Sequence, residues 1–258
     1  MSATFINSRY AVTAYHNFAG VEGNITGMEV ADGPNYITNR GNVVAVSEYI
    51  IHPTQDLVIL KFAQPFLASP DKVIGTADVG DIVYYAGYGT WGTPSLGTVR
   101  DGNLRAFDAR VSGTDYYGPY YQTTLFGYGN LSGLTLNGFG RNGDSGGPAF
   151  NAQGEVVGIM IYASTAIASV GNTSHLRLGD PSIKAWIEAN AQIPTPQMQY
   201  AKVPNGMLVS WDINAVGWIL QESPNLSTWT DVGTTILAPG SYPFQGNDGQ
   251  QFFRFRKP

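Results

Sequence analysis

Apolar residues in this chain come in short runs rich in Val, Ile, Thr and Tyr, cut at close intervals by Gly, Asn, Asp and Pro. Runs of that length between turn-forming residues predict strands, so the pattern argues for an all-β fold. Ala11-Val12-Thr13-Ala14-Tyr15-His16 follows Phe5-Ile6-Asn7-Ser8-Arg9-Tyr10 and reads as a strand that hands its last residue to a loop. Asp56-Leu57-Val58-Ile59-Leu60-Lys61-Phe62 reads as a buried strand with a carboxylate at its mouth. One stretch, about 180–191, has helical spacing instead, with Pro181 near the first helical position and Ile183, Trp186 and Ile187 on one face.

Two prolines in Gln192-Ile193-Pro194-Thr195-Pro196-Gln197 follow that helix and favour an extended linker. The pattern therefore predicts a first domain over 1–192, a linker over 193–198 and a small β-module over 199–258. In the module, Met207–Trp211, Gly217–Gln221, Ser227–Val232 and Gln251–Arg256 read as strands. In the last of these Phe253 and Phe255 face opposite to Arg254 and Arg256. Trp211, Trp218 and Trp229 have the chemistry for sugar stacking, but core packing is the preferred reading.

Composition narrows the function classes. With 258 residues there is ample surface to bury, and Gly 32, Pro 15 and only 13% charged residues suit a turn-rich β fold. The formal net charge of −5 arises in residues 1–192, and no basic stripe appears, which argues against nucleic-acid binding. No run of 18 apolar residues occurs, so no membrane insertion is expected. Cysteine is absent, so disulfides do not staple the fold and the redox compartment stays open. Met1-Ser2-Ala3-Thr4 has neither a basic nor an apolar leader region, although a late start would hide one. No cofactor and no metal site is expected.

Gly143-Asp144-Ser145-Gly146-Gly147-Pro148 carries the clearest chemistry. Glycine lets the chain turn sharply and brings backbone N–H groups close to whatever approaches the hydroxyl. A nucleophile and its oxyanion donors then share one loop. Alone, the hexapeptide is also compatible with a structural turn. A serine hydroxyl needs a base, most often histidine, and the chain has His16, His52 and His175. His16 sits at a strand end, and Asp56, at the mouth of a buried strand, needs a partner such as a protonated imidazole. A carboxylate in that place fixes the imidazole tautomer. His52, held before Pro53, is given no role; His175 is read as a surface or core residue.

These three segments, Val12–His16, Asp56–Leu60 and Gly143–Pro148, resemble in order and separation the catalytic blocks of the trypsin-like (chymotrypsin-fold) serine proteases. Asn7-Ser8-Arg9-Tyr10 resembles the turn before the histidine strand, and Gly87-Tyr88-Gly89 the Gly-Trp-Gly of the second barrel. Gly154–Ile159 resembles the hairpin after the serine, and Asp180–Ile187 the terminal helix. The likeness covers about residues 1–192. It implies two antiparallel Greek-key β-barrels, with the first lacking its N-terminal strand, and a C-terminal helix. It further implies Ser145 as nucleophile, His16 as base and then acid, and Asp56 as the group orienting His16. The N–H groups of Gly143 and Ser145 would form the oxyanion hole. Asp144 would pair with a freed N-terminal amine. The chain begins only shortly before His16, so the expectation is truncation, with another partner for Asp144 or a loosely formed, zymogen-like site as alternatives.

The module at 199–258, through Leu-Gln-x-Ser-Pro-x-Leu-x-x-Trp-Thr at 220–230, resembles the small fibronectin-III-like β-modules of secreted bacterial hydrolases. That resemblance implies an extracellular or cell-envelope location, and a role in binding a surface polymer. For specificity, the resemblance sets the pocket floor at Phe139 and its wall at Ile161, Tyr162 and Ala163. This suggests a shallow apolar pocket for small or medium side chains, with Arg141 as a less favoured acceptor of an acidic one. The expectation is a serine endopeptidase acting on proteins or peptides. The alternatives are an inactive protease-fold binding or adhesion protein, and a β-sheet carbohydrate-binding protein with an accidental glycine turn.

Overall fold

The computed structural model describes residues 1–20, 23–66, 71–91, 98–114, 119–126, 140–164, 170–192, 195–204, 206–244 and 251–257. The chain divides into two compact units, Met1–Ala191 and Gln192–Pro258. In the first unit the strands are β1 (Thr4–Phe5), β2 (Tyr10–Thr13), β3 (Glu29–Ala31), β4 (Val43–Ile51) and β5 (Val58–Phe62), then β6 (Ile82–Gly87), β7 (Arg105–Thr114), β8 (Tyr120–Phe126), β9 (Pro148–Phe150), β10 (Val156–Ser164) and β11 (Val170–Arg177). One helix, α1 (Pro181–Asn190), closes the unit.

The first five strands form a curled antiparallel sheet in the order β1-β2-β5-β4-β3, and the next six close into a barrel, β10-β11-β8-β7-β6-β9. This is the double-barrel architecture that the resemblance implies, and it is all-β as the strand pattern predicts. β2 and β5 are apolar on both faces because both are covered. Val12 and Ile59 join a core shared with Ile159, Leu176 and the helix residues Ile183 and Ile187. Ala11, Val58 and Leu60 pack on the other face, inside the first sheet, with Phe18 and Phe62. Within the second barrel Val83, Tyr85, Val111 and Val157 pack together.

α1 starts where the sequence places it. Asp180 caps the helix by accepting from the N–H groups of Ser182 and Ile183, and Pro181 occupies the first turn, where no donor is needed. Its end is fastened as well: Asn7 Nδ2 donates to the Ala191 carbonyl at 2.9 Å. No described helix is long and apolar enough to cross a membrane.

The second unit contains two three-stranded antiparallel sheets. One is β12 (Met198–Val203), β13 (Gly206–Trp211) and β16 (Gly240–Phe244); the other is β15 (Thr230–Asp231), β14 (Ile219–Ser223) and β17 (Phe252–Arg256). Val209, Ala215, Val216, Leu220 and Ile236 form its core, with Phe253 and Phe255 packed against it. The tryptophans are half-buried rather than central. Trp211 leans on the core, whereas Trp229 carries the Arg254 guanidinium 4.1 Å above its ring and Trp218 carries the Lys257 ammonium at 5.5 Å. Their indole faces are taken up by cations of the same sheet, an arrangement an indole quadrupole favours.

Candidate active site

Antiparallel register brings the imidazole and the carboxylate to one edge. Thr13 at the end of β2 pairs with Val58 at the start of β5. The residues just after β2 and just before β5 therefore emerge side by side. His16 lies in a single 3-10 turn, Tyr15–Asn17. Asp56 grips it twice: Oδ1 accepts the His16 backbone N–H at 2.8 Å, and Oδ2 lies 2.7 Å from His16 Nδ1. An ionised carboxylate only accepts, so Nδ1 carries the proton and the neutral ring keeps a lone pair on Nε2. The His16 side chain is 43% exposed.

The serine loop consists of two tight turns in succession. Asp144 N–H donates to Arg141 O at 3.0 Å, and Gly147 N–H donates to Asp144 O at 2.8 Å. In each turn the third residue is glycine at positive φ, Gly143 at +99° and Gly146 at +85°. Side chains rarely adopt that backbone, which is why the motif reads Gly-x-x-Gly around the serine.

Hydrogen bonds hold this loop with its carbonyls pointing into the protein. Ser2 Oγ donates to Gly143 O at 2.9 Å. The Ser145 carbonyl accepts from Ser2 N–H at 3.1 Å and from Asn17 Nδ2 at 2.9 Å. Thr4 Oγ1 donates to Gly146 O at 2.9 Å, and Met160 N–H donates to Gly147 O at 2.9 Å. Every carbonyl from 143 to 147 is thus occupied. Of the N–H groups in the same run, those of Gly143 and Ser145 have no acceptor among the described residues. Each belongs to a fixed peptide plane, because Thr90 N–H holds the Asn142 carbonyl at 2.9 Å and Gly147 N–H holds that of Asp144. Two unspent, immobilised donors beside a serine are what a developing oxyanion requires.

Asn17 also ties the serine loop to the imidazole, since it follows His16 in the chain and bonds to the Ser145 carbonyl. A Cβ at Gly146 would meet Thr13 Oγ1 and the Ser2 carbonyl, so the loop sits directly against the end of β2. His16 and Asp56 are in direct contact, and Ser145 is linked to them through Asn17. Ser145 Oγ and His16 Nε2 have no hydrogen bond among the described residues. Such contacts are commonly long without substrate and tighten when one binds.

Asp144 faces inward. Gly89 N–H donates to its Oδ1 at 2.7 Å and Arg141 N–H to its Oδ2 at 2.9 Å. Burial pushes its carboxyl above the ordinary carboxylate range, while these two N–H groups pull it down. A Cβ at Gly89 would collide with that carboxylate, which accounts for a glycine there. Among the described residues Asp144 is thus held by two backbone donors, and the Met1 amine and Arg105 add charge that favours its ionised form.

The specificity residues are less complete. Phe139 lies outside the described residues. Ile161, Tyr162 and Ala163 follow one another on β10, immediately after Met160, whose carbonyl accepts the Gly146 N–H at 2.7 Å. Tyr162 is 61% exposed and Ile161 packs toward the core. His52 Nδ1 accepts from the N–H groups of Thr54 and Gln55, and its ring lies tilted against Trp186, 4.6 Å between centroids. His175 is fully buried against Tyr85, with ring centroids 4.5 Å apart, and burial lowers its pKa to about 3. Sequence reasoning missed Ser2, Thr4 and Asn17. The signal for the first two was the alternation Ser2-Ala3-Thr4-Phe5, a polar row facing one way from an edge strand.

No curated protein matches the chain. The family model of the trypsin-like peptidase domain matches residues 1–159, from β1 through both turns of the serine loop and into β10. The chain therefore belongs to the trypsin-like peptidase family.

Proposed function

We propose that the first unit is a serine endopeptidase working through an acyl-enzyme. Ser145 Oγ attacks the scissile carbonyl, and His16 Nε2 takes its proton and then delivers it to the leaving amine. Asp56 holds the imidazole in the required tautomer and stabilises the imidazolium. The N–H groups of Gly143 and Ser145 receive the oxyanion; losing one such donor typically costs about 10²–10³ in rate. The observation that carries this reading is the pair of unspent N–H groups at those two positions, in a loop whose carbonyls are all occupied.

The family acts on proteins, and a preference for small or medium apolar side chains is proposed on top of that. Supporting it, Thr173 is buried beside the serine loop, where its Oγ1 accepts the Gly140 N–H at 3.0 Å. Its methyl and the Met160 thioether crowd Gly140. Binding of a surface polymer by the second unit, and a cell-envelope or extracellular location, are proposals resting on the likeness at 220–230.

The test is labelling by a fluorophosphonate probe. The full chain should be labelled at Ser145, with labelling lost in Ser145→Ala and weakened in His16→Ala. An unlabelled parent would favour the inactive, binding-protein alternative.

A further inference from the structure

We propose that the Ser2 hydroxyl is a positioning group for the oxyanion hole, an inference that rests on the peptidase reading above. Three successive peptide planes run through the serine loop. The first carries the Gly143 N–H and is pinned by Thr90 N–H on Asn142 O; the third carries the Ser145 N–H and is pinned by Gly147 N–H on Asp144 O. The middle plane joins the two donors. Its N–H closes the turn onto Arg141 O, and its carbonyl, Gly143 O, receives Ser2 Oγ at 2.9 Å. Among the described residues Ser2 Oγ is the one donor to that carbonyl.

The tether matters because of the residue it holds. Gly143 sits at φ +99° with no side chain to restrict rotation about it. Without the hydroxyl, a part-buried carbonyl loses its partner, and the loop gains a reason to turn it toward water. A turn of that plane alters ψ of Gly143 and φ of Asp144, two of the torsions that set the Gly143 N–H against the Ser145 N–H, and a hole acts only when both donors meet one oxygen.

Ser2 is suited to the task. It is 5% exposed. Its hydroxyl takes up the Tyr88 N–H at 3.4 Å, which directs the O–H toward Gly143. Its backbone is fixed at both ends, with N–H on Ser145 O and carbonyl under Thr13 Oγ1 at 2.8 Å. Ser2 also lines a cavity of about 360 Å³ with Thr13, Asn17, Phe18 and Met28, so that the space beside it is not close-packed on every side.

That room supplies the control. In the full chain, Ser2→Thr keeps the hydroxyl, Ser2→Val has the same shape without it, and Ser2→Ala removes it outright. Inactivation by a fluorophosphonate is followed as the maximal rate and the half-saturating concentration separately, beside a thermal melt. The maximal rate is expected to fall about tenfold in Ser2→Val and Ser2→Ala and to stay within about twofold of the parent in Ser2→Thr, with half-saturation unchanged. Equal rates in the Thr and Val variants, with the parent labelled, would overturn the proposal while leaving the peptidase reading intact. An unlabelled parent would overturn both. If Ser2→Ala fails to fold, the Thr and Val pair decides alone.

Discussion

A single methyl group at Gly146 measures how tightly the serine turn is wedged between the end of β2 and Ser2. Gly146 has φ +85°, where an L side chain costs about 1–2 kcal/mol. Its Cβ would also meet Thr13 Oγ1 and the Ser2 carbonyl. These two atoms are already bonded to each other at 2.8 Å, and Thr13 Oγ1 further receives Asn17 Nδ2 at 3.1 Å. Neither can swing aside cheaply, and overpacking of this kind adds about 1–3 kcal/mol. Gly146→Ala should therefore cost about 2–5 kcal/mol in all. Gly154 provides the control: its φ is +77°, but a Cβ there meets nothing within 4 Å, so Gly154→Ala carries only the backbone cost. For a unit of this size 1 kcal/mol moves Tm by about 2–4 °C. Gly154→Ala should lower Tm by about 4 °C and Gly146→Ala by about 10 °C. Fluorophosphonate labelling below both transitions should drop more than about tenfold in Gly146→Ala and stay at the parental rate in Gly154→Ala. Equal Tm losses, or a Gly146→Ala protein labelled as fast as the parent, would refute the reasoning.

Three further outcomes are expected. Asp56→Asn turns an amide N–H₂ toward one of the two His16 donors that Asp56 now accepts, and labelling of Ser145 should fall by about 10²-fold or more, read from the inactivation rate. Asp180→Ala removes the cap on Ser182 and Ile183; it should cost about 1 kcal/mol in urea unfolding and leave labelling unchanged. His175 has a folded pKa of about 3 against an ordinary 6.5. Above 6.5 neither state is protonated and its full contribution is present. As pH falls the unfolded chain takes the proton first, and on the order of 3 kcal/mol is lost by pH 4. His175→Phe should shrink the difference in unfolding free energy between pH 7 and pH 4 by that amount; an unchanged difference would contradict it.

Much of the site was legible because each part has a local cause. The end of β2, the mouth of β5 and the glycines of the serine turn are set by neighbours in sequence, and the antiparallel pairing of Thr13 with Val58 then does the assembly. What was not legible depends on contacts across the chain. Ser2 Oγ and Gly143 O are 141 residues apart, and no local pattern says that a small hydroxyl will meet a particular carbonyl. The same holds for the two backbone donors on Asp144, since backbone groups leave no mark in a sequence. The tryptophans of the second unit were read as core because they are large and apolar. Arg254 and Lys257 instead cover Trp229 and Trp218 from the flanking strand.

Asn7 has two attachments with a mechanical consequence. Its Oδ1 accepts the N–H groups of Arg9 and Tyr10 at the entrance to β2, and its Nδ2 holds the Ala191 carbonyl at the end of the first unit. Tension applied to anything downstream of Ala191 enters at a bond to the strand that presents His16. A load on the tail would be felt first at the root of the base, several residues from the imidazole, before it reached the serine. In the proposed peptidase, a chain anchored by its far end would have its proton acceptor nearer the stressed path than its nucleophile.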